Sequence, residues 1–144
     1  MGAPIVHWEI NTRNPSKVFD FYKSLFGWQI NSAKEMEYGL VLTGSKQGIN
    51  GGIGGSRGDA PNLLTVYAEV DDPQETLNRA VSMGATVVVP VTEIPNMVTF
   101  AQFRDPDGNI FGIVKSTERA STRRKKKPAR RRSGKGRTRR RGKK

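Results

Sequence analysis

Alternating apolar and polar residues near the start of the chain predict a β-strand at residues 5–10. Trp8 and Ile10 lie on one face of this strand, whereas His7 and Glu9 lie on the other. Such alternation is typical of a sheet with one face in the core and one face free for other uses. We therefore expect an apolar face and a polar face from the first strand onward.

A helix is predicted to follow this strand. Asn14 is suited to the N-cap, Pro15 to the first helical position and Gly27 to the C-cap. Apolar residues between them recur at helical spacing and are expected to form the face that packs on the core. These residues are Val18, Phe21, Tyr22, Leu25 and Phe26.

The rest of the chain predicts a repeated plan. A Pro-initiated helix that ends near a glycine appears twice, each time after a strand, and three strands follow each helix. We interpret this as a duplicated βαβββ unit. The further predicted elements are strands at 28–30, 38–43 and 48–55, a strand at 64–70, a helix from 73 to 84 with Leu77, Ala80 and Val81 as its apolar stripe, and strands at 85–91, 98–104 and 110–114.

Three segments carry a family resemblance: a first strand that contains His7, the run Phe-Tyr-Lys-Ser-Leu-Phe-Gly-Trp at 21–28, and Asp-Pro-Asp-Gly-Asn at 105–109. Residues 4–115 resemble the vicinal oxygen chelate superfamily, which includes glyoxalase I, bleomycin-resistance proteins and extradiol dioxygenases. The closest likeness is to small bacterial members. The resemblance implies an α+β fold in which two βαβββ modules form a cup-shaped mixed sheet with helices outside. It also implies a ligand in the cup and a homodimer.

The resemblance implies that metal-using members place ligands at positions that correspond here to His7, Gly52, Tyr67 and Gly112. Only His7 offers a usual metal donor, and it is the single histidine of the chain. The chain also contains no cysteine. Because a divalent metal needs about three protein donors, we expect no metal and no other cofactor.

The same positions predict a ligand pocket. Its candidate lining residues are His7, Tyr67, Gly52, Gly112, Gln102 and Arg104. His7, Glu9 and Glu69 are the catalytic candidates, because an imidazole or a raised-pKa carboxylate can move a proton near neutral pH. The alternative is that these are ordinary polar residues, solvated or paired with basic neighbours. The glycine-rich run at 51–58 does not predict a phosphate loop, because no helix follows it.

Charge divides the chain at about residue 119. Residues 1–118 hold nine Lys/Arg and 13 Asp/Glu, whereas residues 119–144 hold 16 Lys/Arg and no acid. We predict a folded domain over 1–118 and a disordered tail over 119–144. The tail residues expected to contact phosphates are Arg123, Arg124, Lys125, Lys126, Lys127, Arg130, Arg131, Arg132, Arg139, Arg140 and Arg141.

Two functions remain open from the sequence. The first is a metal-free domain that binds a small molecule and is attached to DNA or RNA, without sequence preference, by the basic tail. The second is a glyoxalase-related lyase or isomerase that acts on a small oxygenated substrate and is localised by the tail. The first is favoured, because three of the four ligand positions lack the expected donors. We expect a cytoplasmic protein, associated with the nucleoid or with RNA, that does not bind membranes. A eukaryotic nuclear import signal and an anionic membrane surface are alternative uses of the tail.

Overall fold

The computed structural model describes residues 1–33 and 37–116. The predicted domain end at 118 and the predicted tail at 119–144 lie outside the described residues. The elements in chain order are β1 (Ile5–Thr12), α1 (Pro15–Phe26), β2 (Gln29–Ala33), β3 (Tyr38–Leu42), β4 (Gly51–Gly55), β5 (Leu63–Glu69), α2 (Pro73–Ser82), β6 (Thr86–Ile94), β7 (Val98–Arg104) and β8 (Ile110–Ser116). This order confirms the duplicated βαβββ plan and the α+β class.

The described strands form one open mixed sheet of eight strands in the order β2-β3-β4-β1-β5-β8-β7-β6. Within each half the first strand runs parallel to the last, as β1 with β4 and β5 with β8. The halves join through the antiparallel pair β1–β5, in which His7 lies opposite Tyr67. One pair of residues that correspond by duplication, His7 and Tyr67, are therefore direct neighbours at the centre of the sheet.

Both helices cover the same face of this sheet. α1 packs through Val18, Phe19 and Tyr22 on a cluster that includes buried Ile53. α2 packs through Leu77 on a second cluster, which contains buried residues of β7 and β8. The register of β1, β5 and β8 places these clusters on one side. We call this side the helix face and the opposite side the second face.

The predicted caps of α1 are confirmed, whereas α2 ends at Ser82 with Met83 as its C-cap and not at the predicted residue 84. The Asn14 side chain accepts a hydrogen bond from the Lys17 N–H at 3.1 Å. Gly27 ends α1 with a left-handed φ of 67°, and its N–H donates to the Lys23 carbonyl at 3.0 Å. Asp72 accepts from the Glu75 N–H at 3.0 Å at the start of α2. These local bonds satisfy N–H and C=O groups that a helix end otherwise leaves without partners.

The predicted apolar faces of the helices need correction. Phe21, Leu25 and Phe26 are each more than half exposed, and Val81 of α2 is 46% exposed. Phe19, which is not part of the predicted stripe, packs on the core instead. Apolar residues occur around much of α1, so their spacing alone does not say which stripe meets the sheet. Among the described residues, no helix combines the length and apolar character needed to cross a membrane.

Candidate functional site

A row of hydrogen-bonded side chains crosses the second face of the sheet. Its members are His7 and Glu9 on β1, Tyr38 on β3, Tyr67 on β5 and Gln102 on β7. Strand alternation explains their common face. His7 and Glu9 are two residues apart on β1, Tyr67 is opposite His7, and Gln102 is opposite Gly112, which is itself opposite Tyr67. Tyr38 is opposite Gly54, two residues from Gly52, which is opposite Glu9. We call these five residues the tyrosine network.

One half of the tyrosine network is a directional chain of hydrogen bonds. The Gln102 side-chain amide donates to the Tyr67 hydroxyl at 2.6 Å. The Tyr67 hydroxyl in turn donates to Oε1 of Glu9 at 3.3 Å. Tyr67 is 3% and Gln102 is 8% exposed. Donors in series polarise one another in a buried setting, so each hydrogen bond of this chain strengthens the next.

The other half joins the only histidine to a second tyrosine. Nε2 of His7 and the Tyr38 hydroxyl are 3.0 Å apart. The His7 ring also lies 5.7 Å from the Tyr67 ring, measured between centroids. His7, Glu9 and Tyr38 are partly exposed. The network therefore has a buried end at Gln102 and an accessible end at His7.

Two glycines make room for the tyrosine rings. A Cβ at Gly52 would overlap the Tyr38 hydroxyl, and a Cβ at Gly112 would overlap the Tyr67 ring. Both glycines are buried, on the last strand of their own half. The resemblance assigned metal donors to these two positions. Here each glycine instead lies beneath a tyrosine from a neighbouring strand, whose side chain occupies the space that a metal-binding side chain would need.

Burial controls the ionisation of the network. Desolvation lowers the pKa of His7 below 6.5, and the nearby Glu9 carboxylate opposes this only in part. Desolvation also raises the pKa of Tyr38 and Tyr67 far above 10, and Glu9 adds to both increases. At neutral pH the site thus presents a neutral imidazole and two protonated phenols.

His7 should make the fold less stable in acid. Its pKa is lower in the folded chain, so the unfolded chain takes up a proton more readily below its ordinary value. The stability that neutral His7 contributes is complete above its pKa in the unfolded chain, and it is lost as the pH falls through its lower pKa in the folded chain. We expect urea unfolding to show a larger loss between about pH 7.5 and about pH 5 in the wild type than in His7→Gln. Equal losses in both proteins would contradict this.

Thr65 also lies on this face, directly across from Glu9. It is 1% exposed, and its Oγ1 has no hydrogen-bond partner among the described residues. A buried hydroxyl without a partner costs about 1–3 kcal/mol relative to a satisfied one. The second face therefore contains a polar atom that the fold itself leaves unsatisfied.

Thr65→Val should stabilise the fold by about 1 kcal/mol, because valine has the same shape and removes the unsatisfied hydroxyl. Thr12→Val is the matched control. Thr12 is equally a buried strand threonine, but its Oγ1 accepts from the Asn14 N–H at 3.4 Å. That variant should lose stability in the same chemical denaturation experiment. A loss at both positions would show that the Thr65 hydroxyl has a stabilising partner.

The residues present do not fit a divalent metal. No group of three or more His, Cys, Asp or Glu in the described ranges is placed to hold one. His7 is the single conventional donor among the four family positions, and the two tyrosines, whose pKa values are raised, remain protonated. Protonated phenols are poor ligands for such a metal. No metal-dependent step is therefore assigned to this site.

The structure brings most of the predicted pocket residues together. His7, Tyr67, Gly52, Gly112 and Gln102 are all at or beside the tyrosine network. Arg104 is not, because its guanidinium donates to the Gly108 carbonyl in the β7–β8 turn at 3.2 Å. Tyr38 is not among the residues that the sequence predicts for this site. The sequence feature that could have indicated Tyr38 is the glycine run of β4, because glycines in a strand often lie beneath a large side chain of a neighbouring strand.

The catalytic candidate Glu69 lies elsewhere. Glu9 is opposite Thr65 in the β1–β5 register. Glu69 is four residues beyond Thr65, which is about 13 Å along β5. It lines a separate groove of about 1090 Å³ between the N-terminal residues, the start of α2 and the end of β8. The two carboxylates share a face but do not form a pair. The tail residues predicted to bind nucleic acid, 123–141, lie outside the described residues.

Known proteins share both the sequence pattern and the fold. The model of the Glyoxalase/Bleomycin resistance protein/Dioxygenase superfamily matches residues 4–113. Two curated relatives, each named "Putative glyoxylase CFP32", come from Mycobacterium bovis and Mycobacterium tuberculosis. They are 29% identical over 125 residues, covering 80% of this chain and 48% of theirs. The chain therefore spans about half the length of the curated relatives it matches.

Solved structures agree on the fold. Methylmalonyl-CoA epimerase from Mycobacterium tuberculosis aligns with a TM-score of 0.59 at 10% identity, over 82% of this chain and 91% of that one. A superfamily member from Vibrio splendidus aligns with a TM-score of 0.54 at 15% identity, over 80% and 99%. At such identities the likeness concerns the fold alone. With its duplicated βαβββ sheet and a family model that spans 4–113, the chain belongs to the Glyoxalase/Bleomycin resistance protein/Dioxygenase superfamily.

Proposed function

We propose that the second face binds a small polar molecule at the accessible end of the tyrosine network. The observation that carries this proposal is the hydrogen-bonded row from Gln102 through Tyr67 to Glu9. This row satisfies the buried Tyr67 and Gln102 side chains and also brings the Glu9 carboxylate to its partly exposed end. Convergent polar groups beside aromatic rings are typical of small-molecule sites.

The network offers a fixed set of contacts to such a ligand. Glu9 accepts hydrogen bonds only, whereas the Tyr38 hydroxyl and the neutral His7 ring can each donate or accept. Tyr67 is held in place by Gln102 and so has little freedom to turn. A ligand with both donors and acceptors therefore finds pre-oriented partners, which reduces the entropy cost of binding.

We further propose that the basic tail at 119–144 attaches this domain to nucleic acid. Its 16 Lys/Arg and lack of acids favour phosphate backbones of any sequence, and the absence of aromatic residues removes base stacking as a contribution. A homodimer, which members of this superfamily commonly form, would carry two tails. Two linked tails raise the effective concentration of the second once the first has bound.

The small-molecule proposal is tested by fragment screening of the full-length protein with amide NMR. Binding should shift the Gly52 and Gly112 signals, since both lie beneath tyrosine rings of the network. Gln102→Met should weaken such binding about tenfold by releasing Tyr67. Gln74→Met, at an exposed position on α2, is the matched control and should have no effect. Fragments that shift only residues of the groove near α2, or none at all, would contradict the proposal.

The second candidate function is a lyase or isomerase reaction without a metal. It is favoured by the neutral His7 ring, which is close enough to Glu9 for the carboxylate to influence its pKa. A neutral imidazole can accept a proton from a substrate carbon or hydroxyl. A catalytic role requires that His7→Ala retain ligand binding but lose turnover. If the variant binds a ligand and no reaction is detected in either protein, the binding function alone remains.

A further inference from the structure

The tyrosine network contains a carboxylate but no Lys or Arg. Glu9 is its one carboxylate, and its hydrogen-bond partners are uncharged tyrosine phenols. Within residues 1–33 and 37–116, no Lys or Arg forms an ion pair with Glu9. A carboxylate in a partly buried site ordinarily has a cationic partner, because its charge is otherwise only in part compensated.

Two basic residues on or near the sheet, within the described ranges, are engaged elsewhere. Arg104 is on the second face of β7, but its guanidinium bonds the Gly108 carbonyl in the hairpin turn. Lys115 lines the groove at the end of β8, on the side of Glu69. His7, the only titratable nitrogen in the network, is kept uncharged near neutral pH by burial, which lowers its pKa. The accessible end of the network is thus negative overall.

Aromatic rings lie on the same face as this carboxylate, and one of them, Tyr67, donates its hydroxyl hydrogen bond to Glu9. The Tyr67 ring is flanked by the His7 ring at 5.7 Å and by the Phe100 ring at 6.5 Å, with the Phe100 ring nearly perpendicular. Tyr38 extends over Gly52 and Gly54 from the opposite side, and its hydroxyl meets His7. Ring faces attract cations within about 6 Å of the centroid. Rings and a carboxylate together are the combination that recognises organic ammonium groups.

We infer that the ligand of the second face is a small organic cation, an amine or a quaternary ammonium compound, held by the Glu9 carboxylate beside the partly exposed rings of Tyr38 and Phe100. This inference rests on the proposed small-molecule function and names its ligand class. An anionic ligand has no cationic group to meet in this network. An organic cation supplies the opposite charge that the phenol partners of Glu9 do not carry.

The test compares ligands of equal shape and different charge on the full-length protein. Choline is matched by its neutral isostere 3,3-dimethylbutan-1-ol and by the anion 3,3-dimethylbutanoate, and n-butylammonium serves as a primary amine. Titrations followed by amide NMR and calorimetry give affinity and location. We expect one or both cations to bind near Gly52 and Gly112 at least about tenfold more tightly than the neutral and anionic compounds.

The Glu9→Gln variant should reduce cation affinity about tenfold or more, because it removes the charge and retains the size. Asp20→Asn, an exposed carboxylate on α1, is the matched control and should leave affinity unchanged. The comparison of isosteres uses the wild-type protein, so it decides the question even if Glu9→Gln does not fold. Equal or tighter binding of the neutral or anionic compound at this face would overturn the cation inference but support a small-molecule site. Failure of both cations to bind would also overturn it, while the fragment screen decides the proposed function separately.

Discussion

Replacing the arginine triplets at 130–132 and 139–141 with glutamine in the full-length chain should sharply reduce the salt dependence of nucleic-acid binding. If about eight of the 16 cations of the tail meet phosphates, affinity falls about 10³–10⁵-fold between about 50 and about 200 mM salt. Each phosphate that the protein no longer neutralises removes about 0.9 from the slope of log K against log salt concentration. The six substitutions are therefore expected to make that slope shallower by up to about 5.

A fluorescence anisotropy titration at several salt concentrations measures this slope, with DNA and RNA duplexes of unrelated sequence as probes. The matched control is a variant with glutamine at three exposed basic residues of the folded domain, Lys17, Lys23 and Arg57. It is compared with a tail variant that has glutamine only at 130–132. The tail variant should lose slope and the domain variant should not. Equal slopes for the wild type and the six-glutamine variant would exclude the tail as the nucleic-acid contact, and a marked preference for one sequence would contradict binding through phosphates alone.

Gly112→Ala should destabilise the folded domain by about 1–3 kcal/mol. Its new Cβ falls on the Tyr67 ring, which is 3% exposed and whose hydroxyl accepts a hydrogen bond from the Gln102 side chain. Displacing this ring also separates the Tyr67 hydroxyl from Glu9 and Gln102. Chemical denaturation should therefore show a lower midpoint, and the Gly112→Ala protein should bind ligand at the second face more weakly.

Gly2→Ala is the control for the general effect of adding a methyl group, because no atom lies within 4 Å of a Cβ at that position. The specific cause is tested with Tyr67→Ala. If the clash with the ring is responsible, Gly112→Ala should cost far less in a Tyr67→Ala background than in the wild type, as a double-mutant cycle would show. Additive costs would mean that backbone conformation at Gly112, and not the ring, requires glycine.

Local chain signals predicted most of the elements well. β7 begins and ends at the predicted residues, and the caps at Asn14 and Gly27 are those expected. These features depend on a few neighbouring residues, so they can be read in order along the chain. β6 extends to Ile94 beyond the prediction, with Pro90 inside it. A proline is tolerated there because β6 is at the edge of the sheet, where a missing N–H need not break a ladder.

The sequence by itself determined the duplicated plan, the family, the scarcity of metal donors and the contrast in charge between residues 1–118 and 119–144. The tertiary structure alone decided that Tyr38 bonds His7, that Glu69 lies far from Glu9, and that the Arg104 guanidinium bonds a carbonyl of the β7–β8 turn. The physical reason is that sheet register and strand order bring together residues distant in the chain, and one glycine can be required by a ring on another strand. Periodicity records which face a side chain takes, but it does not record its neighbours across the sheet.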